Sequence, residues 1–303
     1  MTAERETAKI ARWNGRCVPN FDANGVGLFY EEHGNGEPVV FVHGTLCDHT
    51  VWKLQTDAIS LEFRTIAYSR RYAYPNTRQG DVMDSTVQNN AEDLHALVNG
   101  LGAGKVHMIG HSYGGFISLY FALKHPEMLH SLTLANAAVA TLLVSRPSPS
   151  ALLSLLLRSP GVAMSARRLV NATAASVRAV EGGDAAAPLR LFVPTISGTR
   201  KDLPPRPAGF EQMVTRNART LKETTTTFPP VTRTEVRTVS VPTQVIWGEF
   251  STPWDYRVSR TLAESIPSGE RSIIPGTSHF SFSEKPAYAS GVILSFLRKH
   301  RAG

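Results

Sequence analysis

An α/β architecture, with a mostly parallel doubly wound sheet interrupted by an inserted helical cap, is the fold class that this 303-residue sequence predicts. Three observations carry the expectation. Short uninterrupted apolar runs such as Val39-Val40-Phe41-Val42 alternate with stretches of helical apolar spacing, the pattern of strands buried on both faces. The connections are short, so successive strands lie side by side with a helix crossing between them. The alternation breaks over residues 138–238 and then resumes, as an insertion into one sheet requires.

Taken in order, residues 1–20 are polar and charge-interrupted and read as an N-terminal extension. They contain no apolar h-region, so no secretory signal is expected and a cytoplasmic protein is the default. The core spans 21–137 and 239–303. Val26, Leu28 and Tyr30 alternate in a strand that ends at Gly-Asn-Gly, and Pro38–Val42 follows as a buried strand. A helix around Val51–Leu61 and a strand over Phe63–Tyr68 come next. Val87, Ala91, Leu94, Leu97 and Leu101 recur at helical spacing until Gly102 and Gly104 stop the helix. Residues 105–111, 131–135 and 242–248 read as further strands, and helices are expected over 114–129, 254–266 and 286–300. Within 138–238 the helical patches are Ala151–Leu157, Met164–Val180 and Phe210–Leu221, with proline-rich joints. The run Thr224–Thr227 reads as a linker returning from the cap.

Composition excludes several classes. With 42% hydrophobic and 19% charged residues the chain is of ordinary globular make-up, and no apolar run approaches the length needed to span a bilayer. Cys17 and Cys47 offer neither metal-ligand spacing nor a disulfide framework, so no metal is expected. The net charge of +7 is concentrated: residues 140–240 hold 14 Lys plus Arg against 6 Asp plus Glu. No interleaved aromatic and basic pattern accompanies it, so a nucleic-acid partner is not expected. Two readings stay open, solvated arginines on a lid or attraction of an anionic small-molecule substrate. Leu152–Leu157 beside Arg158 likewise reads as a lid helix over apolar substrate or as a membrane-surface anchor. Ser69–Asn76 is expected near the site mouth, as a structured Arg/Tyr loop or in contact with substrate.

The most informative stretch is Gly110-His111-Ser112-Tyr113-Gly114, which ends a strand and opens a helix. In that context G-x-S-x-G describes a sharp corner that exposes a serine hydroxyl beside unpartnered helix N–H groups. Ser112 is the candidate nucleophile.

With His43-Gly44 after an early strand, Trp247-Gly248-Glu249 at a late strand end and Gly276-Thr277-Ser278-His279 after the next, the chain resembles the α/β-hydrolase superfamily over residues 24–300. The resemblance implies a cofactor-free enzyme in which Ser112 attacks, His279 is the base, and the backbone N–H groups of Thr45 and Tyr113 form the oxyanion hole. A serine at 112 disfavours dehalogenase and epoxide hydrolase chemistry, whose relatives place an aspartate there. The usual acid position falls on Ser251 and the alternative one on Asn136, so neither is a carboxylate. Asn136 is the candidate partner of His279, able to accept its N–H through the amide oxygen. Glu249 and Asp255 are the candidate displaced acids.

The expected function is action on an ester, lactone or activated carbonyl of a mid-sized, partly apolar small molecule. The alternative is a cyclase, isomerase or lyase on the same scaffold, motivated by the missing acid. A ligand receptor that has lost the chemistry is the third class.

Overall fold

The computed structural model describes residues 10–13, 16–76, 80–144, 149–198, 200 and 202–301. Nine strands form one sheet in the order β1-β2-β3-β5-β4-β6-β7-β8-β9. They are β1 (Ile10–Trp13), β2 (Arg16–Ala23), β3 (Val26–His33), β4 (Pro38–Val42), β5 (Arg64–Tyr68), β6 (Val106–His111), β7 (Leu129–Ala135), β8 (Thr243–Gly248) and β9 (Gly269–Ile274). The first three pair antiparallel, and β4 to β9 pair in parallel. The segment read as an N-terminal extension therefore supplies β1 and the start of β2. The side chain of Cys17 lies outside the described residues.

Every position of β4, β6 and β8 is buried; β4 is apolar throughout, whereas β6 also buries His107 and His111, and β8 buries Thr243 and Gln244. Alternate side chains serve opposite faces. Val40, Val42, Met108, Leu132, Leu134 and Val245 pack beneath α2 (Val87–Gly100), α3 (Tyr113–Lys124) and α9 (Pro253–Ser265). Val39, Phe41, Ile109, Ala135 and Ile246 face the other way, against Trp52, Ile59 of α1 (Lys53–Ile59), Phe282 of α10 (Ser281–Glu284), and Ala289, Ile293 and Leu297 of α11 (Pro286–Lys299). Each large apolar side chain so buried contributes about 1.5–3 kcal/mol. The two-sided cover is what makes the parallel sheet stable.

Between β7 and β8 the chain leaves the sheet for α4 (Pro149–Arg158), α5 (Pro160–Glu181), α6 (Ala187–Ser197), α7 (Phe210–Arg216) and α8 (Arg233–Val236). Here two expectations shift. The helix expected to run from Phe210 to Leu221 stops at Arg216. Asn217 breaks it, because its amide donates to Asp48 Oδ2 (2.7 Å) and accepts from the Tyr74 N–H (2.7 Å). The threonine run is no free linker: it lies at the end of a 3₁₀ segment over Ala218–Thr225, and Thr224, Thr225 and Thr226 donate to carbonyls three residues back. Leu153, Leu156 and Leu157 of α4 are exposed. No described helix is long and apolar enough to cross a membrane.

Candidate active site

The carboxyl ends of the parallel strands meet along one edge of the sheet, and parallel register aligns them. Val42 pairs with Gly110, His111 with Ala135, Ala135 with Ile246, and Gly248 with Ile274. His43, Ser112, Asn136 and Gly248 thus leave the sheet at one level.

Ser112 occupies the corner between β6 and α3 with φ 52° and ψ −119°, a backbone region that a non-glycine residue holds only under strain. The flanking glycines make the corner possible by close approach. A Cβ on Gly114 would stand 2.2 Å from the Val42 carbonyl oxygen, and one on Gly110 would stand 2.4 Å from Ser118 Oγ. Tyr113 opens α3, so its N–H has no acceptor within the helix. Its side chain points away, donating to the Ser85 carbonyl at 2.8 Å. Gly44 lies against the same corner, where a Cβ would meet Ser112 Cβ at 3.0 Å. The loop carrying Thr45 therefore borders Ser112.

That loop is fastened by a buried ion pair. Arg70 clasps Glu223 with both ends of its guanidinium (2.6 and 2.9 Å), and the two side chains are 2% and 1% exposed. Arg70 Nε donates to the His43 carbonyl (3.0 Å) and Nη2 to the Gly44 carbonyl (3.3 Å). Glu223 also accepts from Thr45 Oγ1 (2.5 Å) and Ser85 Oγ (2.7 Å). His43 donates from Nδ1 to the Gly44 carbonyl (2.8 Å) and accepts the Arg70 N–H at Nε2 (2.9 Å), which fixes a neutral tautomer. Burial, with the Arg70 charge added, holds its pKa well below the usual imidazole value. The Ser69–Asn76 loop is thus structural at Arg70, and Arg71 is likewise buried in a two-pronged contact with Asp93 (2.9 Å for each bond).

His279 follows β9, and His111, the residue before Ser112, donates from Nε2 to its carbonyl at 3.0 Å. The two rings lie 4.9 Å apart. Ser278 beside it is held by Glu284 through its N–H and hydroxyl, each at 2.6 Å. His279 Nδ1 donates to Asp255 Oδ2 at 2.8 Å, with both residues buried. Among the described residues neither Ser112 Oγ nor His279 Nε2 makes a hydrogen bond, so the serine–imidazole bond is open here. Such bonds are often long in unliganded sites and tighten around substrate.

Asn136 is not the partner of His279. Its Nδ2 donates to Ser251 Oγ at 2.9 Å, while its Oδ1 is buried without a partner. The two positions where a carboxylate was sought are bonded to each other. The backbone explains the geometry: Asn136 sits at φ 44°, with its N–H on the Ile246 carbonyl. Glu249 does not face the imidazole either, since its carboxylate accepts the Gly276 N–H (2.7 Å) at the surface. Asp255 is carried one helical turn beyond Ser251. Thr252 caps α9 with Pro253 at its first position, and Asp255 stands in the first turn, where the helix dipole favours a carboxylate. Glu223 carried no local signal, because it acts from a segment more than a hundred residues away along the chain. Among the described residues no cluster of three His, Cys, Asp or Glu side chains is arranged to hold a metal ion.

The sequence pattern of the alpha/beta hydrolase fold family matches residues 37–286, and the chain belongs to that family. It is 30% identical over 105 residues to 3-oxoadipate enol-lactonase 1 of Acinetobacter baylyi, a match covering 34% of this chain and 38% of that one. The chain thus spans well under half the length of this curated relative. A longer match, 22% identical over 282 residues and covering 86% of this chain and 71% of the other, is to Epoxide hydrolase 3 of Xenopus tropicalis. The esterase EaEST from Exiguobacterium antarcticum has the same fold, with a TM-score of 0.72 at 16% identity over 92% of this chain and 98% of that one.

Proposed function

We propose that this member of the alpha/beta hydrolase fold family is a serine hydrolase that cleaves esters or lactones of a mid-sized, partly apolar compound. The single observation that carries the reading is the 2.8 Å Asp255–His279 contact beside the Ser112 corner. An acid on Nδ1 keeps the imidazole proton away from the serine side and stabilises the imidazolium formed during attack.

Ser112 Oγ attacks the carbonyl carbon and gives its proton to His279 Nε2. The carbonyl oxygen becomes an oxyanion held by the N–H groups of Thr45 and Tyr113. Collapse expels the alcohol, which takes the proton from His279 and leaves an acyl-serine; water deprotonated by His279 then releases the acid and restores Ser112. Helices α4 to α8 act as the cap over this edge. The ground for a cyclase, isomerase or lyase was the missing acid, and the Asp255–His279 contact supports the hydrolase reading over it. The epoxide hydrolase resemblance does not extend the chemistry, because residue 112 is serine.

Two measurements test this reading together. A fluorophosphonate should label Ser112 alone, and turnover of chromogenic esters and lactones should vanish in Ser112→Ala. Equal rates in the two proteins, or a Ser112 that resists the reagent, would overturn it.

A further inference from the structure

Three arginines of this protein meet buried carboxylates in two-pronged contacts: Arg70 with Glu223, Arg71 with Asp93, and Arg216 with Asp48. Arg206 does not. It stands between α6 and α7, with its guanidinium carbon 4.9 Å from the ring centre of Phe210 and 5.0 Å from that of Phe280. Phe280 follows His279, and its ring stands edge-on to the imidazole at 5.2 Å. Arg206 is therefore two ring contacts from the imidazole.

A guanidinium has five N–H donors in a rigid fork. Nη2 of Arg206 donates to Ser197 Oγ at 2.5 Å, and Nε is buried with no acceptor. Among the described residues no Asp or Glu forms an ion pair with it. Glu284, the acidic residue whose charge it senses, is spent on Ser278. Burial accordingly lowers the Arg206 pKa, with Glu284 opposing. Arg206 is half-buried, and its one fully buried donor, Nε, stays idle unless an acceptor arrives to complete it. Stacking on two aromatic rings fixes the plane of the fork in advance. Phe210 and Phe280, which the guanidinium touches, share one apolar cluster with Leu46 and Cys47, the two residues that follow Thr45.

We infer that Arg206 reads a carboxylate on the substrate, so that the compound cleaved is an ester or lactone bearing a free carboxylate, joined to the reacting carbonyl by a short apolar chain. This rests on the reading of Ser112 and His279 as the reacting centre. The excess of basic over acidic residues in 140–240 then has a use: it draws the anion toward the same mouth. Arg206 is a specificity-determining residue and takes no part in bond making.

The test uses the full chain and two arms. In the first, 4-nitrophenyl hydrogen glutarate and its neutral methyl ester are compared as substrates. The ratio of their kcat/KM values should favour the anion in the native protein and fall by about ten- to a hundredfold in Arg206→Gln, through KM. An unchanged ratio overturns the inference. In the second arm glutarate is added to unreactive Ser112→Ala, with or without Arg206→Gln, and thermal unfolding is followed. Glutarate should raise the unfolding temperature only where Arg206 is present; equal shifts, or none, overturn the inference. Should the glutamine variant fail to fold, Arg206→Lys keeps the charge and loses the fork, and a native ratio in it is equally fatal. Loss of all esterase activity with Arg206-dependent glutarate binding retained would sink the serine-hydrolase reading and leave the carboxylate site standing. Esters cleaved without discrimination would do the reverse.

Discussion

The His279 side of Ser112 is built from the sheet and its flanking helices, whereas the loop carrying Thr45, on the proposed oxyanion side, is fastened by a residue from the insertion. On the first side His279, Asp255, Glu284 and His111 all come from segments that follow or precede strands of the sheet. On the second, the His43–Thr45 loop is tied through Arg70 to Glu223, at the point where the chain returns from the insertion. The difference teaches that charge placed for chemistry and charge placed for position are separable here. Asp255 touches the imidazole, while Glu223 is a positioning residue that reaches the oxyanion loop through Arg70 and the Thr45 hydroxyl. Seating of the insertion and the position of the Thr45 loop are therefore coupled, and α9, which carries Asp255, also packs against α5 and α8 of the insertion.

The largest expected effect comes from the imidazole side. Asp255→Asn keeps the shape of the side chain but lets an amide donate to Nδ1, which puts the ring proton toward Ser112. Turnover should fall by about 10⁴-fold, roughly 5–6 kcal/mol of barrier, with KM little changed. Stability in urea should move less than in Glu223→Gln, because the amide that replaces the carboxylate can still hydrogen-bond to the imidazole. A turnover loss below about tenfold would show that Asp255 does not serve as the acid.

Glu223→Gln should behave in the opposite manner. It leaves the Arg70 guanidinium buried and without a counter-charge, which costs about 3–5 kcal/mol of folding stability. Turnover should fall by at most about a hundredfold, on the scale of losing one oxyanion donor. Urea unfolding and the rate of fluorophosphonate labelling measure the two quantities separately. If Glu223→Gln kept full stability, or Asp255→Asn lost as much as Glu223→Gln, the separation between the two sides would collapse.

A smaller effect tests both sides at once. His43 on the oxyanion side and His111 on the imidazole side are fully buried, and burial holds both well below the ordinary value of 6.5. Above pH 6.5 neither folded nor unfolded chain carries these protons, and stability is fully present. Below it the unfolded chain takes up protons that the native chain refuses. Stability should then drop by about 1 kcal/mol per pH unit for each histidine. Urea midpoints between about pH 7.5 and about pH 5.5 check the slope, and His43→Gln and His111→Gln should each remove a part of it, with buried His107, whose pKa burial also lowers, adding a share of the same sign. A flat profile would show that neither ring resists protonation in the folded protein.

The parts of this architecture that were legible were those written by local sequence. Apolar runs buried on both faces gave β4, β6 and β8, and the Gly110–Gly114 spacing gave the Ser112 corner, since close backbone approach leaves no choice of residue there. The histidine after β9 was legible for the same reason, by its place between a strand and a helix. What escaped was set by contacts distant along the chain. Whether Asn136, Glu249 or Asp255 faces His279 depends on how far α9 carries its first turn inward, and local pattern does not encode that. Glu223 lies just before the Thr224–Thr227 run that reads as a linker, and it is buried against Arg70. Arg206 was visible only as part of an excess of charge; its isolation from carboxylates appears once the neighbours are in place.

The smallest predicted effect bears on why the imidazole side has one acid and not two candidates. Asn136→Asp restores a carboxylate at a position from which the wider family is expected to reach the imidazole. Here the side chain at 136 is engaged with Ser251 Oγ at 2.9 Å, and an aspartate can accept from that hydroxyl in place of the amide's donation. The left-handed backbone at φ 44° tolerates aspartate as it does asparagine. Turnover should therefore change by less than about tenfold, far below the effect at Asp255. The sharper form combines the substitutions. In Asp255→Asn with Asn136→Asp, a carboxylate able to swing onto Nδ1 would recover most of the lost rate, and two acid positions would then be interchangeable on this scaffold. Recovery of less than about tenfold is expected, because Asp255 approaches from the first turn of α9, whereas residue 136 leaves β7 already committed to Ser251.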